Sequence, residues 1–336
     1  MQFKRLLYLG YYLKELDKKK FKAFLNYVSS TEHIPKTSIL LDIIGASLKH
    51  NISILEYFQF HFYKLSSKER ETFAGTGYMY EYQLKMNPKA SRQVLENKLE
   101  FLMLYNQFIH HDFASLKDIK EDHAVAQRLL SNKSGKVVLK NSIGQCGHGI
   151  EVKNCNELNA KSLIHRLEKT GNDLVEEFVV QHKDLMKLSP SGLNTIRIIT
   201  QLDKNNNVEV LGARLRITVN STVDNLAAGN IAAPIDLETG IVDGPGVYSD
   251  ITKPSEVIHP ITKISVLNFK VPYWKETMEM VKKAAMINKH NQSIGWDIAI
   301  TDEGPELIEG NHDWCKLLWQ LPVNRGLKPS LEKYIK

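Results

Sequence analysis

Residues 293–313 read Ser-Ile-Gly-Trp-Asp-Ile-Ala-Ile-Thr-Asp-Glu-Gly-Pro-Glu-Leu-Ile-Glu-Gly-Asn-His-Asp, and the rest of the chain is best read outward from them. Trp296, Ile298 and Ile300 alternate with Asp297, Ala299 and Thr301, which predicts a strand whose Asp297 points away from the apolar face. Asp302-Glu303-Gly304-Pro305 marks a tight turn, and on the return strand Leu307, Glu309 and Asn311 are expected to share a face. Folding about that turn sets Asp297 opposite Glu309 or its immediate neighbour. Opposed carboxylates repel and weaken a strand pair unless a cation lies between them. Asp297, Glu309 and Asn311 offer three oxygen donors, too few for a full protein cage, so the natural ion is Mg²⁺ held mainly by water and substrate phosphates. For a lone hairpin, solvated carboxylates are the plainer reading, and the upstream elements must decide.

Three upstream stretches bear on that choice. Val137-Val138-Leu139 forms a strand ending at Lys140, and Gly144, Gly147 and Gly149 precede a second strand at Ile150-Glu151-Val152. A P-loop would need Gly-Lys-Ser/Thr entering a helix, and a dinucleotide fingerprint would need a helix after the glycines. A glycine hairpin beside a lysine can instead lay backbone N–H groups over a polyphosphate, and a flexible surface hairpin fits equally well. Asn154 to Lys169 is expected as a helix capped by Asn154 and Glu157 and stopped at Gly171. Leu174 to His182 then reads as a strand leading into a polar connection, either a core strand with solvated acids or a hinge able to bond an adenine ring. Asn194–Leu202 and Val208–Val219 are strands, with Arg214 and Arg216 on one face and Arg197 next door. Neighbouring guanidiniums favour an anion, although solvated arginines on an open sheet would look the same. The loop Asp224–Asn230 is polar and built of small residues, and a helix covers about Tyr273 to Lys289.

The first 95 residues are helical in pattern, with Phe21, Phe24, Leu25 and Val28 at helical spacing and Lys18-Lys19-Lys20 between apolar segments. These basic helices can dock to a membrane surface or a partner; a solvated charged face over a helical core is the expectation. Val94, Leu95, Leu99, Phe101, Leu102 and Leu104 continue a helix over 90–108 that carries Lys98. At 336 residues there is room for two or three domains, and 43% hydrophobic with 24% charged residues describes an ordinary globular protein. A net charge of +6 suits anionic ligands without demanding nucleic acid. Cys146, Cys155 and Cys315 show no metal-ligand spacing, which argues against a disulfide framework or a zinc site and for a reducing compartment. With no apolar run of membrane-span length and no signal-peptide pattern, the cytoplasm is the expected location.

In order, a lysine strand with a glycine hairpin, an acidic hinge strand, an arginine strand and Asp…Glu-x-Asn resemble the ATP-grasp superfamily. Asp297 and Glu309 are twelve apart with Asn311 two further on. Together with Gly295-Trp296-Asp297, Leu307–Asn311 and Asn194-Thr195-Ile196-Arg197, that spacing is most similar to the sugar-transfer-associated branch, over residues 96 to 325. The resemblance implies an α+β fold of two subdomains gripping ATP, with helices at residues 1–95 replacing a Rossmann-like pre-domain. It divides the remainder into a lid subdomain, 96–182, and a C-terminal subdomain, 183–336. It makes Lys98 and Lys140 phosphate ligands and Gly144, Gly147 and Gly149 a closing loop. Glu176, Glu177, Phe178 and Val179 become the adenine hinge, and His182 or Asp184 a ribose contact. Arg216 and Asn225 approach the γ-phosphate, and Arg197 or Arg214 joins Arg216 in orienting a carboxylate. Asp297, Glu309 and Asn311 hold Mg²⁺.

The implied chemistry is a carboxylate–amine ligation through an acyl phosphate, the amine's proton passing to His312 or Asp313 if either is a base. The branch points to cell-surface polysaccharide assembly, with a uronic acid or other saccharide carboxylate and an amine as substrates. A phosphotransferase acting on a hydroxyl, and a non-catalytic polysaccharide- or membrane-associated module, are the competing classes.

Overall fold

The computed structural model describes residues 2–144 and 149–335. Gly147 lies outside the described residues. Two antiparallel sheets organise the chain. The smaller has the order β1-β4-β2-β3, from β1 (Phe113–Ser115), β2 (Lys136–Lys140), β3 (Glu151–Asn154) and β4 (Leu174–Glu177). The larger runs β7-β6-β5-β8-β9, from β5 (Ile196–Leu202), β6 (Val208–Ile217), β7 (Ile231–Ile235), β8 (Ser293–Thr301) and β9 (Gly304–Asn311). The architecture is α+β throughout.

Alternation sorts the larger sheet into two faces. Ile196, Ile198, Leu215, Trp296, Ile298 and Ile300 pack into one core with Val281 and Ala284 of the helix Trp274–Ala285, and with Phe101, Leu102 and Tyr105. On the other face Ile199 packs with Met79, Tyr82 and Met86 of the helix Thr76–Met86, and with Trp314 and Trp319. The N-terminal helices thus cover part of the face that carries Arg197 and Asp297. Gly295 permits this approach, because a Cβ there would lie 2.6 Å from the Trp314 Cβ. The smaller sheet buries Val137, Leu139 and Val175 against Leu163 and Leu167 of the helix Ala160–Thr170. An aromatic cluster including Tyr57, Phe58, Phe60, Phe62 and Phe73 forms the core of the N-terminal region.

Several boundaries differ from expectation for local reasons. The helix expected from Asn154 starts at Ala160, because the Asn159 side chain accepts from the Ser162 N–H and caps it. Asn154 still donates to Glu157 at 2.6 Å, but across a short 3₁₀ turn. The stop at Gly171 is as read, with φ 71°. The pattern over 90–108 is broken into Gln93–Glu96 and Lys98–Leu104, where the Asn97 side chain caps the second piece. The strand read over 174–182 ends at Glu177. Beyond it Gln181 bridges Thr301, and the His182 N–H donates to the Ile300 carbonyl at 2.7 Å.

The opening hairpin carries the one irregularity that matters most. From the turn inward, Thr301 pairs with Gly304, Ile300 with Pro305, Ala299 with Glu306 and Ile298 with Leu307, but Asp297 pairs with Glu309. A bulge at Ile308 therefore sends Leu307 into the core and Glu309 to the other face, so the expected shared face of Leu307 and Glu309 does not form.

Candidate active site

Across the larger sheet, one register line carries Pro234, Arg214, Arg197, Asp297 and Glu309. Directly opposed side chains on one face interact most strongly, so this row fixes the electrostatics of the site. Arg197 grips Asp297 with Nε on one carboxylate oxygen and Nη2 on the other, the latter at 2.8 Å. Both are almost fully buried. Arg216, one pleat along on β6, donates to Asp297 at 2.6 Å and pairs with Asp224 at 2.6 Å. Asp224 in turn accepts from the Thr195 N–H at 3.0 Å and from its hydroxyl. Burial works against ionising Asp297, yet Arg197 and Arg216 hold its carboxyl well below the usual range.

Glu309 goes the other way. Burial and the adjacent Asp297 push it up to about 7, and Arg197 only partly offsets them. With Asp297 already satisfied by arginines, Glu309 is the carboxylate left short of a positive charge. Its neighbour Asn311 donates Nδ2 to it at 3.2 Å, and no described hydrogen bond uses the Asn311 Oδ1. A raised acid, an opposed carboxylate and an unused amide oxygen fit a hard divalent cation that would replace the proton on Glu309. Among the described residues no cluster of three His, Cys, Asp or Glu could hold a metal by itself, so further ligands would have to come from solvent or substrate.

One strand of the smaller sheet and the start of the helix Lys98–Leu104 supply the cations. Lys140 at the end of β2 pairs with Glu176 of β4 at 2.7 Å. Lys98 donates to the carbonyls of Gly144 and, at 3.4 Å, Asn141, and its backbone N–H donates to Ser142 at 2.8 Å. Burial and Lys140 lower the Lys98 ammonium, while Glu309 and Glu176 oppose them. The two lysines and Glu309 thus share one electrostatic neighbourhood, although they come from separate elements.

Other expected residues are placed as follows. Gly144 is at the mouth of the loop, and Gly149 sits at φ 76° with its carbonyl accepting from Asn172. Glu176 is buried beneath the hinge and Glu177 is half-buried; Phe178 and Val179 follow in extended, half-buried chain. His182 caps the helix Lys183–Leu188, with Asp184 in its first turn. Asn225 is exposed and caps the short turn Leu226–Ala228. Arg214 corrects the expectation of a three-arginine anion site. It lies in the row, but its guanidinium donates to the Trp319 and Ala213 carbonyls and bonds no carboxylate among the described residues. Burial depresses it to about 10. His312 pairs with Glu96 at 3.0 Å, and Asp313 is exposed.

Three residues escaped the sequence reading. Asp224 was visible only as part of a polar loop. His111 sits buried between the sheets, its Nδ1 2.7 Å from Glu306 of β9 and its Nε2 3.4 Å from Glu176 of β4. Burial resists its protonation, but the two carboxylates raise it to about 9. Glu306 also accepts from the His110 and His111 N–H groups at 3.0 and 3.1 Å. No local spacing signals that arrangement, because its members are almost two hundred residues apart.

Lys140 on one sheet and Lys98 on a helix lie beside the glycine loop, and the second sheet presents Asp…Glu-x-Asn, an arrangement that agrees with the ATP-grasp family. The chain belongs to the sugar-transfer associated ATP-grasp family, whose model matches residues 78–336. No curated protein matches it in sequence. Among solved structures it is similar to the ATP-grasp ligase PsnB complexed with a phosphomimetic variant of minimal precursor, Mg and ADP. The identity there is 13% over 74% of this chain and 60% of that one, with a TM-score of 0.43. The L-amino acid ligase from Bacillus licheniformis gives 15% identity over 71% and 49%, with a TM-score of 0.40. D-alanyl-alanine synthetase A from Vibrio cholerae gives 11% over 70% and 66%, also at 0.40. The chain therefore spans between half and two thirds of the length of these proteins.

Proposed function

We propose that this protein is an ATP-dependent ligase joining a carboxylate to an amine. The observation that carries the reading is that Lys98 has both Lys140 and Glu309, one member of the opposed Asp297–Glu309 pair, as charged neighbours. Such a site opposes cations to a polyphosphate and leaves one carboxylate pair for the ion that accompanies it.

Lys98 and Lys140 hold ATP phosphates, with Gly144, Gly147 and Gly149 closing over them. Glu176 to Val179 line the adenine, and His182 or Asp184 the ribose. Asp297, Glu309 and Asn311 hold Mg²⁺, which when bound neutralises charge on the phosphates. Arg216, shared between Asp297 and Asp224, is the arginine placed to meet the γ-phosphate or the substrate carboxylate, with Asn225 at the rim. Arg197 spends both described bonds on Asp297, so its role is to position that carboxylate. A substrate carboxylate oxygen attacks the γ-phosphorus as ADP leaves; the amine then attacks the acyl carbon, phosphate leaves, and the nitrogen loses a proton. Water exclusion matters at the first step, since an acyl phosphate hydrolyses readily. Residues 1–95, 96–182 and 183–336 serve as N-terminal region, lid and C-terminal subdomain, with Phe101–Ile109 packing on the larger sheet. A saccharide carboxylate such as a uronic acid, an amine, and a cytoplasmic setting complete the proposal.

The test is product analysis after incubation with ATP, Mg²⁺ and a panel of uronic acids and amino acids. ADP released together with an amide supports the ligase. A stable phosphoester without amide sinks it in favour of phosphotransfer to a hydroxyl.

A further inference from the structure

The N-terminal region carries nearly all of the net charge. Residues 1–50 hold nine Lys and Arg against four Asp and Glu, a balance of +5 where the whole chain has +6. The sequence alone suggested that lysines form the exposed face of these helices. The structure exposes those lysines and leucines beside them.

Lys4 and Tyr8 lean on Glu81 at 2.8 and 3.1 Å, and Arg5 donates to the Leu48 carbonyl at 2.7 Å and to that of Lys49. The helix Gln2–Lys14 is thereby held between Thr76–Met86 and the C-terminal end of Lys36–His50. Leu6, Leu7 and Leu13 are left facing outward, each more than half exposed. On the adjoining helix, Ile39, Ile43 and Ala46 enter the aromatic core while Leu40, Leu41 and Ile44 face outward, Leu41 being 72% exposed. A helix apolar on both sides is built to be covered on both. Nothing in the described chain covers the outer side. Lys14 and Lys18-Lys19-Lys20 follow this surface in sequence, and Lys36 begins its second helix.

We propose that the outer face of helices Gln2–Lys14 and Lys36–His50 docks on an anionic lipid surface. Exposed leucines for the headgroup boundary, with exposed lysines next to them in sequence, match both the apolar demand and the positive charge of this region. A second copy of the chain would satisfy the leucines but would set two +5 regions against each other, so charge complementarity favours lipid.

Sedimentation of the full chain with phosphatidylcholine vesicles, with and without phosphatidylserine, tests this. Binding should require phosphatidylserine and weaken as salt is raised. Leu6→Glu with Leu41→Glu should lower the bound fraction by about tenfold or more, and Lys18→Glu with Lys20→Glu should abolish the preference for phosphatidylserine. Both variants are solvent-facing, and an unchanged circular dichroism spectrum and urea midpoint confirm their folding. Failure to bind either vesicle, or equal binding to both, would overturn the proposal. So would a concentration-dependent dimer that Leu6→Glu with Leu41→Glu dissolves while vesicle binding is absent.

Discussion

Replacing Asp297 by Asn tests the charged row most directly, because the two arginines on either side of it are unequally protected. Asp297 is the only hydrogen-bond partner of the Arg197 guanidinium among the described residues, whereas Arg216 also has Asp224 at 2.6 Å. Asp297→Asn therefore leaves Arg197, which is only 6% exposed, without the carboxylate it is hydrogen-bonded to, and with Glu309 as its remaining acidic neighbour. Losing one member of a buried pair costs about 3–5 kcal/mol. Arg197→Met removes the other member but leaves Asp297 held by Arg216 at 2.6 Å. It should cost less, about 1–3 kcal/mol. The double variant should lie near Arg197→Met alone, so the coupling should be about as large as the cost of Asp297→Asn itself, about 3–5 kcal/mol. Urea unfolding without nucleotide, followed by tryptophan fluorescence, reads this directly, since Trp296 adjoins Asp297 and both Trp314 and Arg197 lie against Gly295. A cost below about 1 kcal/mol for Asp297→Asn, or a larger cost for Arg197→Met, would refute the reasoning that this pair holds the row.

Four further outcomes follow from the same geometry. Glu309 is raised from 4.5 to about 7, so between those values the folded state binds more protons than the unfolded one and stability without metal falls as pH rises. Binding Mg²⁺ and ATP at mildly acidic pH should accordingly release a proton, seen as a buffer-dependent calorimetric enthalpy that Glu309→Gln abolishes. His111, raised from 6.5 to about 9, contributes stability that is full below 6.5 and lost as pH rises through about 9; urea midpoints of His111→Gln should lack that alkaline decline. Lys98→Met should weaken ATP binding by about 1.5–3 kcal/mol, measured by titration with a fluorescent nucleotide. Gly295→Ala, meeting the Trp314 Cβ at 2.6 Å, should cost about 1–3 kcal/mol of stability by the same urea assay.

How much of this was legible in the chain depended on distance. That Asp297 lies opposite Glu309 or its immediate neighbour could be read from a turn within one hairpin, but the bulge that selects Glu309 could not. Arg197 and Arg216 were visible as neighbours on adjacent strands, but the paired carboxylates that occupy them were not. Arg214 shows the limit: strand periodicity gives its face, while its guanidinium direction is set by the Trp319 carbonyl, over a hundred residues away. The His111–Glu306–Glu176 contact between the sheets has no local signature, since a lone histidine says nothing until two strands are brought beside it. Helix ends were missed where a side chain competed for the cap, as Asn159 did with Asn154 and as Asn97 did within the 90–108 pattern. The helical N-terminal region was read correctly as helical, yet which side of each helix faced outward needed the packing.

The bulge at Ile308 has a consequence for how the spacing of the hairpin can vary. Opposed residues near the turn are separated in sequence by 3, 5, 7 and 9, always odd, whereas Asp297 and Glu309 are separated by 12. An even separation between facing partners is unattainable in a regular hairpin closed by two residues, so the spacing of twelve exists only because one residue is looped out. The even separation records the bulge: one residue added to each strand would keep Asp297 and Glu309 opposed, but it would turn the residues nearer the turn, Ile300 and Glu306 among them, to the opposite faces. Deleting Ile308 would restore the regular register and leave Glu309 opposite Asp297 on the same face, so the deletion would remove the local kink at the site and not the facing of the two carboxylates.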